Sequence, residues 1–584
     1  MIDKKSLSRK LEQPNFLVLL VDEERYPPVY ENAEISEWRT QNLHTQNLMK
    51  ANALEFHRHY IGSTACCPSR ATLFTGHYPS LHGVSQTDGL AKGAFDSDMY
   101  WLDRNTVPTM GDYFREAGYQ TYYKGKWHIS DEDIIIPGTH KAVPSYNSLT
   151  GVPDTQLEQL YDQANRLDSF GFSSWIGPEP HGKNPRNSGS SASFGLSGRD
   201  EIYGLETVEL LEALEHQKEH DNSAKPWLVV ASFVNPHDIV LYGAITAQLP
   251  VFRFDVDPMI PFIAPPPTIN ETLVTKPRCQ ASYRDTYPKA VQPIIDQAFY
   301  RRLYYQLQLN ADRQMIKVFD ALTRSSFYDN TIVIFTSDHG DLLGAHGHLY
   351  QKWYNAYEEA LHVPFIIHNK HLFPQQRNVD TLTSHVDLLP TMLGLAHVNV
   401  EEIQGRLHKK FSEARPLVGR DLTPQIVDQD YYAPAEEPIY FMTDDDVTRG
   451  QHQVNLLGEA YPSVVQPNHI ETIIMNMNPN GKKELWKLSR YFDNVQFWSQ
   501  PGVKDATHQP ASSPHGKEQV KTQPAPDEYE LYNLTDDPLE TRNLAHTLYS
   551  TPYTRRIQQW MMHQLNEQRQ HKRLYPVQTN GGIK

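Results

Sequence analysis

Several residues of this chain combine types and spacings suited to handling an anion. Cys66 stands in Cys66-Cys67-Pro68-Ser69-Arg70, just ahead of ATLFTG. Pro68 marks the start of a helix, whose free N–H groups and positive dipole end suit a negatively charged reacting group. Arg70 adds a planar cation one turn inside. Lys126 and His128 lie two residues apart just beyond a short strand, so both can point to one side. A histidine near neutral pKa can exchange a proton there, and His237, at the end of WLVVASFV, is a second candidate acid. Asp22-Glu23 follows NFLVLLV, and Asp338-His339 follows TIVIFTS. Ligands of open α/β sheets gather at the carboxyl ends of strands, and acids meeting there are costly without a cation. A mostly carboxylate set favours a hard ion such as Ca2+, with Mg2+ as an alternative, and a histidine ligand admits Mn2+ too. Taken singly, a buried cysteine pair, a Lys-Trp-His loop and loop acids are ordinary structure.

The elements that must position these groups alternate. Residues 15–21, 121–123, 227–234, 331–336 and 363–367 are short, nearly continuous apolar runs, as expected of strands buried on both faces of a mostly parallel sheet. Between them lie helical patterns at 110–117, with Thr109 as N-cap and Gly118 as stop, and at 298–322. This predicts the α/β class, a large mixed sheet sandwiched by helices. After about residue 424 the character changes. Residues 438–442, 471–477 and 484–492 read as strands of a small antiparallel sheet, closed by a helix at 553–570. The expected division is therefore a catalytic unit at 1–424 and a C-terminal subdomain at 425–584. Residues 499–527, rich in Pro, Gln, Ser and Lys, read as a long surface loop open to a homo-oligomer contact. The Pro-rich stretch 258–267 is expected near the pocket mouth or at a subunit contact.

At 584 residues the chain is too long for one ordinary core, and its 39% hydrophobic content gives ample material to bury. A net charge of −16 argues against nucleic-acid binding, so an anionic ligand needs a local basic pocket. No apolar leader is seen in residues 1–13, and the longest apolar run is too short to span a bilayer. Three cysteines, two of them adjacent, make a disulfide framework implausible and fit a cytoplasmic setting, or a periplasmic or secreted one if a leader has been removed.

Cys66 to Arg70 matches C-x-P-S-R, and residues 118–128 (GYQTYYKGKWH) match G-Y-x-T-x-x-x-G-K-x-H. In content and order these motifs resemble the formylglycine-dependent (type I), arylsulfatase-like sulfatases of the alkaline phosphatase superfamily. SHVDLLPTMLGLA (384–396) and ELYNLTDDPLETRNLA (530–545) extend the resemblance from about residue 14 to 545. It implies an alkaline-phosphatase-like fold and conversion of Cys66 to formylglycine (3-oxoalanine) by a maturation enzyme. Cys67 is excluded, because the residue two places on is Ser69 and not proline. The implied reaction is hydrolysis of an aryl, alkyl or saccharide sulfate ester. One hydroxyl of the hydrated aldehyde attacks sulfur, a covalent sulfo-enzyme forms, and collapse to the aldehyde expels sulfate. Arg70, Lys126 and Lys352 would hold the anion, His237 or Lys352 would protonate the departing alcohol, and His128 would deprotonate the remaining hydroxyl. Asp22, Glu23, Asp338, His339 and the modified Cys66 would bind the divalent ion. Glu23 departs from the family's usual aspartate. Relatives that hydrolyse phosphonate monoesters or phosphodiesters with the same nucleophile are the alternative. They tend to carry uncharged residues where this chain has Lys126 and His128, which favours sulfate.

Overall fold

The computed structural model describes residues 11–575, apart from 12, 181–183, 191–195, 221–224, 429–430, 432–435, 480 and 510–516. The apolar runs become the centre of an eight-stranded mixed sheet. Its strands are β1 (Asn15–Asp22), β2 (Ala53–Tyr60), β3 (Gln120–Gly125), β4 (Trp227–Pro236), β5 (Thr331–Ser337), β6 (His362–Val363), β7 (Phe365–His368) and β8 (Arg377–Ser384). The order is β3-β4-β1-β5-β7-β2-β6, with β8 added on β2. β3, β4, β1 and β5 run parallel, whereas β7 is antiparallel to both β5 and β2.

Every residue of β1, β4 and β5 is buried, because both faces are covered. Phe16, Val18 and Leu20 pack with helix α1 (Cys66–Thr75) and helix α2 (Met110–Glu116) through Ala71, Phe74, Met110 and Phe114. The alternate residues Leu17, Leu19 and Val21 pack with α3 (Arg199–His220) and α4 (Gln297–Arg324) through Tyr203, Leu211, Met315 and Phe319. Each such side chain contributes about 1.5–3 kcal/mol by leaving water, and the two-sided burial explains why the strands lack polar alternation. Thr109 caps α2 as expected, accepting from Gly111 N–H while Asp112 accepts from Thr109 N–H at 2.8 Å. The apolar run at 363–367 is broken at Pro364, which divides β6 from β7.

Beyond residue 424 the expected antiparallel sheet forms from β9 (Ile439–Thr443), β10 (His469–Met477) and β11 (Glu484–Phe492). The stretch read as a surface loop carries a two-stranded ladder, β12 (Asp505–Gln509) with β13 (Lys517–Lys521). A further strand, β14 (Glu528–Asn533), joins β11, giving the order β14-β11-β10-β9. Helix α5 (Pro552–Lys572) lays Ile557, Met561 and Leu565 on one face of this sheet. Phe441, Ile470, Ile474, Tyr491 and Tyr532, also from these strands, pack instead with Leu349, Tyr354 and Tyr357 of the loop after β5. The C-terminal sheet thus buttresses a loop that leads into the site. Among the described residues no helix is long and apolar enough to cross a membrane.

Candidate active site

The expected residues converge at the carboxyl ends of β1, β3, β4 and β5 and the start of α1. Asp22 ends β1, Asp338 and His339 follow β5, Lys126 follows β3, and His237 follows β4. Cys66 and Arg70 come from the first turns of α1. Gly125, with φ +96°, lets the chain turn out of β3 tightly against β4. A Cβ there would lie 1.9 Å from the Ser232 carbonyl oxygen.

Asp22, Cys66, Asp338 and His339, all buried, each offer one atom such that the four lie within 4.8 Å of one another. Cys66 Sγ is 3.1 Å from His339 Nε2 and 3.7 Å from Asp22 Oδ1. His339 Nδ1–H donates to the Gly340 carbonyl at 3.0 Å, which leaves the Nε2 lone pair facing the cluster. Burial first, then Asp22, pushes Asp338 up to about 7, although Arg70 and Lys126 act the other way. The convergence of two carboxylates, an imidazole nitrogen and the Cys66 side chain on one point fits a divalent cation, and these donors fit a hard or borderline ion.

Four basic side chains surround this cluster. Arg70, wholly buried, donates from Nε to Asp338 Oδ2 at 2.8 Å, from Nη2 to Asp22 Oδ2 at 3.1 Å, and from Nη1 to Lys126 O and Ser232 Oγ. Lys126 Nζ lies 2.7 Å from Asp22 Oδ2. Burial would raise Asp22, but Lys126 and Arg70 outweigh it and hold the carboxyl well below the usual range. Lys352 Nζ reaches Glu23 Oε2 at 2.9 Å. Glu23 falls in a separate group with Asp22 and His237, outside the four converging donors. Burial, then Lys126, lowers His237 well below its ordinary value. Burial, then Asp22, pushes the Cys66 thiol up, so as an unmodified thiol it is a poor nucleophile.

Cys66, Lys126, His128 and His237 line the floor of a cavity of about 1230 Å³. Its walls come from residues 87–96 and 131–148, from 178–180, Asn184 and Asn187, and from 240–252, 290–292, Trp353 and 447–456. The Pro-rich stretch 258–267, expected near the pocket mouth or at a subunit contact, contributes no lining residue to this cavity among the described residues. That stretch is drawn onto α4, where Arg301 donates to Ile263 O and Arg302 to Ile260 O. Residues 447–456, which follow β9, reach the cavity through folding alone.

Sequence reasoning missed the groups that hold His128. Asp88 Oδ1 lies 2.7 Å from His128 Nε2, and Glu179 Oε2 accepts both Trp127 N–H (3.1 Å) and His128 N–H (3.0 Å). These contacts fix His128 at φ +58°, an uncommon backbone conformation for a residue with a side chain. No motif marks Asp88 or Glu179, which are brought to His128 from 40 and 51 residues away.

A family model described as Sulfatase matches residues 14–398. The sulfatase YidJ of Escherichia coli (strain K12) is 28% identical over 400 residues, covering 67% of this chain and 70% of that protein. An arylsulfatase of Clostridium perfringens (strain 13 / Type A) is 26% identical over 437 residues, covering 70% and 80%. Among solved structures, BT4656 in complex with its substrate D-glucosamine-2-N,6-O-disulfate superposes with TM-score 0.58 at 16% identity, covering 97% of this chain and all of that one. The phosphonate monoester hydrolase of Agrobacterium radiobacter gives TM-score 0.56 at 18% identity, covering 96% of each chain. At these identities the structural likeness speaks for the fold. The family match spans well over half of the chain and includes the Cys66 and Lys126 motifs, so the chain belongs to the sulfatase family, sulfuric ester hydrolases of the alkaline phosphatase superfamily.

Proposed function

We propose that the chain hydrolyses sulfate monoesters of sizeable alcohols, saccharides foremost, with the oxidised side chain of Cys66 supplying the attacking oxygen. The observation behind this reading is the meeting of Cys66 with Asp22, Asp338 and His339, next to a cavity that Cys66, Lys126, His128 and His237 line. Asp22, Asp338, His339 and the Cys66 position would hold the divalent ion, calcium first, with manganese or magnesium as alternatives. Such an ion, when bound, stabilises negative charge on the nucleophile and on the sulfate oxygens. Sγ of Cys66 stands in for the hydroxyl oxygens of the hydrated aldehyde.

Arg70 orients the two carboxylates, and Lys126 brings positive charge to the cavity floor. Lys352 is paired with Glu23, whose carboxylate lies 2.9 Å from its ammonium. It and His237 stand ready to protonate the departing oxygen. Burial keeps His237 neutral, and the negative charge of a bound sulfate ester acts in the opposite direction. His128, braced by Asp88, takes the proton whose removal regenerates the aldehyde. The cavity exceeds the range of about 300–1,000 Å³ common for small-ligand sites. That size, with Phe95, Tyr146 and Trp353 among the walls, suits an extended alcohol better than a simple aryl group.

Mass spectrometry of the Cys66 peptide, from a host with the maturation machinery, tests the nucleophile, and the thiol sulfur should be replaced by oxygen. Full activity with an intact thiol would overturn the proposal. A panel of aryl sulfates, sulfated saccharides, phenylphosphonates and phosphodiesters tests the substrate. Faster turnover of the phosphorus esters would favour the alternative hydrolase.

A further inference from the structure

Glu23 is the one residue of the expected ligand set outside the four donors that meet at Cys66; its carboxylate groups instead with Asp22 and His237. Its backbone is pinned: N–H donates to Asp338 Oδ1 at 3.1 Å, and the carbonyl accepts from Tyr304 OH at 2.7 Å, with φ at +78°. The side chain leaves this fixed point beside the Asp341 carboxyl and ends on Lys352, with Oε2 at 2.9 Å from Nζ and both side chains wholly buried. The other side-chain oxygen near that ammonium is Gln351 Oε1 at 3.3 Å, and the ammonium also lies over the Trp353 ring at 4.8 Å. A buried lysine has four rotatable bonds and no water to hold it, so its anionic partner decides where the charge sits. An aspartate at this position would fall short by one C–C bond, about 1.5 Å. The donors of Asp22, Cys66, Asp338 and His339 converge without Glu23.

We propose that Glu23 is the positioning residue of Lys352, holding its ammonium toward the departing oxygen, and that it is not a ligand of the cation. This rests on the sulfatase reading above. Replacement of aspartate by glutamate next to Asp22 thus moves one acid from the metal site to the proton-donor side of the pocket.

The test compares Glu23→Gln, Lys352→Ala, their double variant and Asp338→Asn in matured full-length protein. Calcium per chain and calcium affinity are measured by elemental analysis and calorimetry. Rates are measured on a nitrophenyl sulfate and an alkyl sulfate. Glu23→Gln should keep wild-type calcium content and affinity, whereas Asp338→Asn should weaken binding by about 10²-fold or more. Glu23→Gln should lose about 10²-fold on the alkyl sulfate and far less on the nitrophenyl ester, which leaves without protonation. In the Lys352→Ala background Glu23→Gln should cost nothing further. Calcium loss in Glu23→Gln matching that of Asp338→Asn would overturn the proposal, as would additive losses in the double variant. If Glu23→Gln does not fold, Glu23→Ala carries the same test: calcium kept, with a loss selective for the alkyl sulfate. The calcium measurement needs no turnover, so a wild type inactive on every sulfate ester would sink the sulfatase reading and still decide whether Glu23 binds the cation.

Discussion

Replacing Arg70 by lysine keeps the charge and removes the fork. The guanidinium makes four contacts within 3.1 Å, to Asp338, Asp22, the Lys126 carbonyl and Ser232. A single ammonium at the end of a lysine stem cannot touch both carboxylates and the two β-edge acceptors at once. If two of the four are lost, at about 1.5–3 kcal/mol per hydrogen bond to a charged group, the site loses roughly 3–6 kcal/mol. Part of this loss falls on cation binding, because Arg70 orients Asp22 and Asp338 from behind, and outer partners of this kind are worth about 10–100-fold in metal affinity. Arg70→Lys should therefore bind calcium about 10–100-fold more weakly at pH 7, as read by calorimetry, and unfold at lower urea. Wild-type calcium affinity together with an unchanged urea midpoint would refute the assignment of Arg70 as the brace of the two carboxylates.

Further outcomes follow from the same geometry. His237→Ala should lose about 10²–10⁴-fold on alkyl sulfates and less on nitrophenyl sulfate, whereas His128→Ala should be indifferent to the leaving group and accumulate protein sulfated at residue 66. Intact-mass measurement after mixing with substrate separates the two, and an adduct in His237→Ala alone would reverse the roles. Gly125→Ala places a methyl 1.9 Å from the Ser232 carbonyl at a left-handed φ, so it should destabilise by about 2–5 kcal/mol and lower activity by displacing Lys126. A wild-type urea midpoint would contradict this. Buried His346 lies 2.9 Å from Glu271 and 3.5 Å from Glu359, which outweigh burial and raise it to about 9. Its stabilising contribution, about 3 kcal/mol, is complete below pH 6.5 and lost as pH rises through 9. His346→Gln should flatten the fall in urea midpoint between pH 6.5 and 9, and an unchanged slope would refute the pairing.

The parts legible in the sequence are those whose signal is local. β1, β4 and β5 are covered on both faces, so each is a continuous apolar run that names itself. The reactive groups sit directly on the ends of those runs, which is why Asp22, His237 and Asp338 could be placed before any fold was known. β2 (ALEFHRHY) and β8 (RNVDTLTS) were not legible, because they pair with each other away from the sheet's centre and keep partly exposed residues. Charged and hydroxyl side chains there interrupt the apolar signal that marks a strand. The same contrast divides the site itself. Its chemistry depends on residues one or two positions from a strand end, whereas Asp88, Glu179 and residues 447–456 enter through contacts that only the folded chain creates. Glu23 lies on the boundary between the two. Its position is fixed by β1, but its partner Lys352 arrives 329 residues later, on a loop braced by the C-terminal sheet. A motif can therefore name the acid beside Asp22, while the direction of its carboxylate, toward the cation or toward the proton donor, is decided by a loop that the motif does not contain. The leaving-group end of the reaction depends on that loop and on the cavity walls, so substrate choice can vary across the family while the nucleophile and the carboxylates at the strand ends stay in place.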